Sequence, residues 1–205
     1  AGLLQDLKKV SPGDDSVGIV FDNGTGTVYG DVTLQEDLTI GEDESLTLDD
    51  GASLGTGNYT LTVNGGTLTG NVTGDVIYKV TGVSLSPKTL SLNPGKGGTL
   101  TATITPSNAT DKSVEWKSDD TGVATVNENG KVTAVAEGTA TITVTTTDGD
   151  FKDTCTVTVT EPPTVSVTSV TLDKTSLALD VGGSDTLTAT VEPDNATNKT
   201  VTWTT

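Results

Sequence analysis

The side chains of this 205-residue chain best suited to chemistry are its carboxylates. Glu42-Asp43-Glu44 and Asp49-Asp50 are the densest clusters, joined by Asp14-Asp15 and by Asp148 with Asp150. Paired acids work as general acid and base when their surroundings push their pKa values apart. Here they lie among Gly and polar residues, and aromatics make up only 3% of the chain, too few to wall an apolar pocket. There is no His, and all 11 basic residues are Lys. Ser-His-Asp and Cys-His catalysis, His-ligated metals and arginine clamps on phosphate are therefore excluded together. The expectation is no enzyme, with no catalytic, cofactor-binding or metal residue. Hard cations take clustered oxygens, so Ca²⁺ is the one cofactor these clusters could hold. No EF-hand loop or Gly-Gly-x-Gly-x-Asp repeat accompanies them, and they read as solvated acidic turns.

The remaining reactive types have plainer readings. Cys155 is the only cysteine, so no intramolecular disulfide exists. It is in phase with Val157 and Val159, and Lys152 falls on the other strand face, as expected of a buried, inert thiol. Trp116 alternates with Val114 toward an apolar side and reads as core rather than as a sugar platform. Tyr29, Tyr59 and Tyr78 are unplaced, either surface contacts or ordinary strand tyrosines. Thr is about one residue in five. Its Thr-x-Thr rows at 99–105, 141–145 and 154–160 could order water as ice, but sandwich strands twist and lose that regularity. Six Asn-x-Thr sequons (Asn23, Asn58, Asn71, Asn108, Asn195 and Asn198) arise easily in so Thr-rich a chain.

The net charge is −17, and residues 1–79 alone hold 13 of the 28 acids. Such a surface repels nucleic acid and anionic membranes, and no apolar run approaches the ~20 residues of a span. Thr and Val favour a pleated, half-buried surface, so the chain reads as all-β.

An internal repeat organises the chain. Val80-Thr81-Gly82-Val83-Ser84-Leu85 returns 87 residues later as Val167-Thr168-Ser169-Val170-Thr171-Leu172. The same offset carries Leu90 to Leu177, Asn108-Ala109-Thr110 to Asn195-Ala196-Thr197, and Trp116 to Trp203. Glu161-Pro162-Pro163-Thr164 is a short stiff linker between the copies. In the first copy, Leu100, Ala102 and Ile104 alternate with Thr, as do Ala140, Ile142 and Val144, and then Cys155, Val157 and Val159. Asn129-Gly130 and Asp148-Gly149-Asp150 supply hairpin turns. About seven short strands with one apolar face each predict two sheets closed on one another.

Residues 80–160 closely resemble the bacterial Ig-like domain, group 2. The residues that carry the resemblance are Val114-Glu115-Trp116-Lys117-Ser118-Asp119, Val123-Ala124-Thr125-Val126 and the run from Gly130-Lys131-Val132-Thr133-Ala134 to Glu137-Gly138-Thr139-Ala140-Thr141-Ile142. The resemblance implies an Ig-like β-sandwich used as a repeated module in bacterial surface proteins, adhesins among them.

Residues 1–79 keep a different beat. Val32-Thr33-Leu34, Leu38-Thr39-Ile40, Leu46-Thr47-Leu48, Ser53-Leu54, Leu61-Thr62-Val63, Leu68-Thr69 and Val76-Ile77 start 6 to 8 residues apart. This spacing fits a β-solenoid or a meander, and does not fix whether neighbours run parallel. A solenoid needs its end covered, and Leu3, Leu7 and Val10 share a helical face before Pro12, so residues 2–9 are expected as a helical cap.

Three segments follow. Residues 1–79 form a β-rich N-terminal domain, a short helix and then stacked short strands. Residues 80–161 form an Ig-like domain, and 165–205 the N-terminal half of a second. In that half, Leu172, Leu177, Leu179, Leu187, Ala189, Val191 and Trp203 are expected on an open apolar face available for self-association. The function expected is a non-catalytic extracellular or cell-surface module, a spacer with an adhesion role. Its partners would be a host or cell-wall protein or glycan, with no nucleic acid and no membrane insertion. The alternative is an accessory or ligand-binding region, for carbohydrate or Ca²⁺, of a larger secreted enzyme.

Overall fold

The computed structural model describes the backbone of residues 2–3 and residues 17–204 in full. Every regular element among them is a β-strand. The chain divides into two compact units, residues 1–160 and 161–205.

The first unit opens with β1 (Gly2–Leu3) and a hairpin of β2 (Gly18–Asp22) and β3 (Thr25–Tyr29). The turn between β2 and β3 is Asn23-Gly24, both at positive φ, the conformation a two-residue hairpin loop needs. Eight short strands follow: β4 (Asp31–Thr33), β5 (Leu38–Ile40), β6 (Ser45–Leu48), β7 (Ser53–Gly55), β8 (Leu61–Val63), β9 (Thr67–Thr69), β10 (Val72–Thr73) and β11 (Val76–Tyr78). They pair in parallel along three columns, β3-β6-β9, β4-β7-β10 and β5-β8-β11. Residues 25–78 are thus three coils of a three-sided solenoid, and the meander is set aside. Parallel neighbours cannot be joined by tight hairpins, so each strand reaches its partner only after a full circuit. Val28, Leu38, Ile40, Leu46, Leu54 and Leu61 fill the interior and are fully buried.

Gly2–Leu3 does not begin a helix. It is a strand paired in parallel with Leu38-Thr39, on the open edge of the first coil. An exposed strand edge presents unpaired N–H and C=O groups that a strand satisfies and a helix does not. The rest of the expected helical cap, with Leu7 and Val10, lies outside the described residues.

Nine further strands build the sandwich: β12 (Gly82–Ser86), β13 (Thr89–Leu92), β14 (Gly97–Thr99), β15 (Thr101–Thr105), β16 (Val114–Ser118), β17 (Ala124–Val126), β18 (Lys131–Ala134), β19 (Gly138–Thr146) and β20 (Lys152–Val159). One sheet runs β13-β20-β19-β16, and it faces the pairs and triplet β12-β15 and β14-β18-β17. Leu85, Leu100, Val132, Ile142, Val144, Cys155 and Val157 form the core between them. Trp116 is half-buried and packs against this core. Its ring lies over Gly130, whose φ is +72°. A Cβ at that glycine would stand 2.9 Å from the indole and 2.5 Å from the Leu100 carbonyl oxygen.

In the second unit, β21 (Ser169–Leu172) pairs antiparallel with β22 (Ala189–Glu192). These are the counterparts of β12 and β15, which pair with each other in the first copy. The counterparts of β13, β14 and β16 are not strands. In the first copy those three pair with β20, β18 and β19. A strand is a property of a pair. Leu172, Leu177, Leu179 and Trp203 are accordingly exposed, Trp203 at 54%. Val191, expected on the same open face, is buried instead, at the end of β22 that leads into the turn closed by the Ala196 N–H on the Pro193 carbonyl. Leu187 and Ala189 are half-buried.

Gly130→Ala should destabilise the first unit by about 2 kcal/mol or more, because a side chain there adopts a left-handed backbone and meets Trp116. Urea unfolding followed by tryptophan fluorescence measures it. An unchanged midpoint would mean that the Trp116 ring is free to move aside.

Candidate functional site

The described acidic clusters lie in turns, where Glu44 alone puts its carboxylate to local use. Glu44 is buried, and its Oε2 accepts the Gly41 N–H at 2.7 Å, closing the turn between β5 and β6. Asp43 takes positive φ in that turn, and Asp49 accepts the Ala52 N–H through its carbonyl in the next. Asp14-Asp15 lie outside the described residues. Among the described residues, no group of three or more acidic or cysteine side chains converges as metal ligands would.

Asp148 has a different task. Its Oδ2 accepts the Val80 N–H at 2.9 Å and its Oδ1 pairs with the Lys79 ammonium, where the solenoid passes into the sandwich. The same stretch is clamped a second time. Tyr78 and Thr110 exchange two bonds: the Thr110 N–H donates to the Tyr78 carbonyl, and the Tyr78 N–H donates to Thr110 Oγ1, both at 2.9 Å. Eighty-seven residues on, Val165 and Thr197 exchange the same two bonds, at 2.9 and 2.7 Å. Thr81 and Thr168 repeat a further contact, each donating to the carbonyl before a proline, at Thr105 and Glu192. Each copy therefore ties down the residues that lead into its first strand with a threonine of its own Asn-Ala-Thr loop. In the sequence those triplets stood as sequons and as markers of the repeat, and their clamping role was not legible. Their recurrence at the repeat offset, far from any apolar pattern, was the available signal.

Beside the first clamp lies a shallow cavity of about 290 Å³. Its lining includes Thr67, Tyr78, Thr81 and Asn108 together with Gly65 and Gly66. These offer neutral hydrogen-bonding groups and one aromatic face, the equipment of a weak binding cleft rather than of acid, base or nucleophile chemistry. Of the other tyrosines, Tyr59 is exposed and Tyr29 half-buried. Cys155 is fully buried, and burial pushes its thiol up from the ordinary value. That keeps it protonated and unreactive at neutral pH.

The chain belongs to the bacterial Ig-like domain (group 2) family, which matches residues 79–157 and 166–205, more than half of its length. An uncharacterized protein of Clostridium acetobutylicum is 44% identical over 126 residues, which are 61% of this chain and 13% of that protein. The Ig-like virion protein of Serratia phage KSP90 is 42% identical over 123 residues, 60% of this chain and 47% of the relative. A 3-O-alpha-D-galactosyl-alpha-L-arabinofuranosidase of Bifidobacterium longum is 43% identical over 75 residues, 34% of this chain and only 7% of the enzyme. The chain thus spans less than half the length of these relatives.

Asp148 and Asp153 are held below the usual aspartate range, first by the hydrogen bonds from Lys79 and Lys88, with the Val80 and Leu85 N–H groups adding to the effect. A depressed folded pKa contributes stability that is complete above the unfolded value, near 4, and is lost as pH falls through the folded one. The unfolding temperature should therefore drop below about pH 4, and Asp148→Asn or Asp153→Asn should flatten that drop. Variants with the full wild-type acid sensitivity would show that other carboxyls carry it.

Millimolar Ca²⁺ should move the same unfolding temperature by no more than a degree or two. A ligand held only by the native state raises it in a saturable way. Such a rise, reversed by chelator, would show that the acidic turns gather into a site in solution.

Proposed function

We propose that this chain is a load-bearing, non-catalytic spacer of a bacterial cell-surface or secreted protein, holding a distal part away from its anchor. The observation that carries this reading is the parallel pairing of β13 with β20. These two strands lie near the entry and the exit of the Ig-like copy. Tension applied to its two ends pulls parallel neighbours in opposite directions and loads their hydrogen bonds in shear, all at once. Peeling an antiparallel pair from its end would break them one by one. The Thr156 N–H to Lys88 carbonyl and Thr160 N–H to Leu92 carbonyl bonds belong to this zipper, and Asn93 Nδ2 adds a bond to the Thr160 carbonyl at 2.6 Å.

The paired threonine clamps support the same reading, because a spacer transmits force only if the segments entering its domains are fixed. A bacterial exterior also suits an acidic chain that needs no disulfide. The partner held at the far end is, on this reading, a protein or a glycan of host or cell wall. The match to a short part of an arabinofuranosidase supports one variant of the proposal, in which the module spaces an enzyme rather than an adhesin.

Pulling the chain by its ends in an optical trap or force microscope tests the proposal. Residues 80–160 should unfold in a single high-force event. Thr156→Pro removes the N–H that reaches Lys88 and should lower that force clearly. A sandwich that unravels stepwise at low force, or a proline variant as strong as the parent, would overturn the mechanical role.

A further inference from the structure

One face of the solenoid is unlike the other two. On β3, β6 and β9 the inward residues are Gly26, Leu46 and Leu68, while the outward ones are Thr25 and Thr27, Ser45 and Thr47, Thr67 and Thr69. The parallel register stacks them in two straight files, Thr25-Ser45-Thr67 and Thr27-Thr47-Thr69. Every outward position of this face is a hydroxyl in all three coils. Chance use of Thr as a strand former does not produce that elsewhere in the same solenoid. The β4-β7-β10 face carries Asp31 and Gly55 in its files, and the β5-β8-β11 face ends its Thr39-Thr62 file in Ile77.

The hydroxyls on this face also differ in their bonding from those of the neighbouring column. On the neighbouring β4-β7-β10 column, Ser53 Oγ donates to Asp31 Oδ1 at 2.6 Å, and Thr73 Oγ1 reaches the Leu54 carbonyl. None of the six on β3, β6 and β9 bonds to a protein atom among the described residues. Thr25, Thr67 and Thr69 are exposed, and Thr27, Ser45 and Thr47 are half-buried. Strands of three to five residues accumulate little twist. The hydroxyls therefore repeat at about 4.8 Å along each file and roughly 6.6 Å across the two. The sandwich strands, with their longer twisted Thr rows, do not offer this.

We propose that this face binds ice. A rigid array of hydroxyls that donate and accept, interleaved with threonine methyls, holds water in an ordered layer. Its repeat distances are on the scale of those between oxygens at an ice surface. At one edge of the array Asp22 stands beside Thr25 and Val20 beside Thr27, Tyr29 lies beyond the end of the files, and at the other edge Thr67 borders the cleft that Tyr78 lines. The inference goes beyond the spacer reading and does not depend on it.

The test is partition of the fluorescently labelled chain into slowly grown polycrystalline ice. The wild-type protein should be enriched in the ice severalfold over the remaining liquid. Thr47→Lys, at the centre of the array, should fall to the level of an excluded solute. Thr62→Lys, in the same coil on the neighbouring face, should stay enriched. If Thr47→Lys lowers the unfolding temperature, Thr47→Val keeps the shape and should still lose at least half of the enrichment. Exclusion of the wild type from ice, or equal behaviour of the Thr47 and Thr62 variants, overturns the proposal.

Discussion

A short strand of Thr and Val has no stability of its own, and this chain is built almost wholly of such strands. Each must find a partner for its backbone N–H and C=O groups, because a buried group left unpaired costs about 1–3 kcal/mol. The two architectures in residues 1–160 are two answers to that one requirement. The solenoid satisfies it by translation, each coil pairing with the one before. The sandwich satisfies it by folding back, with hairpins such as β19-β20 and one long return that brings β13 alongside β20. In the second unit β21 and β22 pair, and residues 176–179, 184–186 and 201–204 are not strands.

Packing then fixes which faces remain for function. In the solenoid, alternation sends Leu46, Leu54 and Leu61 inward and leaves the outward files to polar residues. In the sandwich it buries Cys155 and half-buries Trp116, removing the two side chains that would otherwise invite redox or sugar-stacking roles. The charged groups that matter most are those used as fasteners. Asp148 joins Lys79 and Val80, and Asp153 joins Lys88 and Leu85, so carboxylates that could have looked catalytic act as backbone anchors.

Force and surface are therefore the two properties to which the molecule is suited. On the proposed reading, the parallel β13-β20 pair and the repeated threonine clamps are the parts that would carry extension. The flat hydroxyl face offers a patterned surface without reactive groups. Neither property calls for a pocket, which accords with the shallow cleft beside Tyr78 being lined by neutral groups.

The sandwich was legible because its signal is local and redundant: alternation, Asn-Gly turns and the run from Gly130 to Ile142 all point the same way. The exposed face of the second copy was legible too, through the offset of 87 that set Leu172, Leu177 and Trp203 against buried or half-buried counterparts. The sequence alone therefore determined which residues face inward and which chemistry is excluded, since both follow from residue type and period. It did not determine strand direction in residues 25–78, because a period-2 pattern is the same for parallel and antiparallel neighbours. Nor did it disclose the Thr110 and Thr197 clamps or the pairing of Gly2-Leu3, in which backbone groups distant in sequence meet. The Thr25-Ser45-Thr67 and Thr27-Thr47-Thr69 files became visible only once the coils were stacked. Register between distant strands is set by how whole coils pack, and the tertiary structure alone decides it.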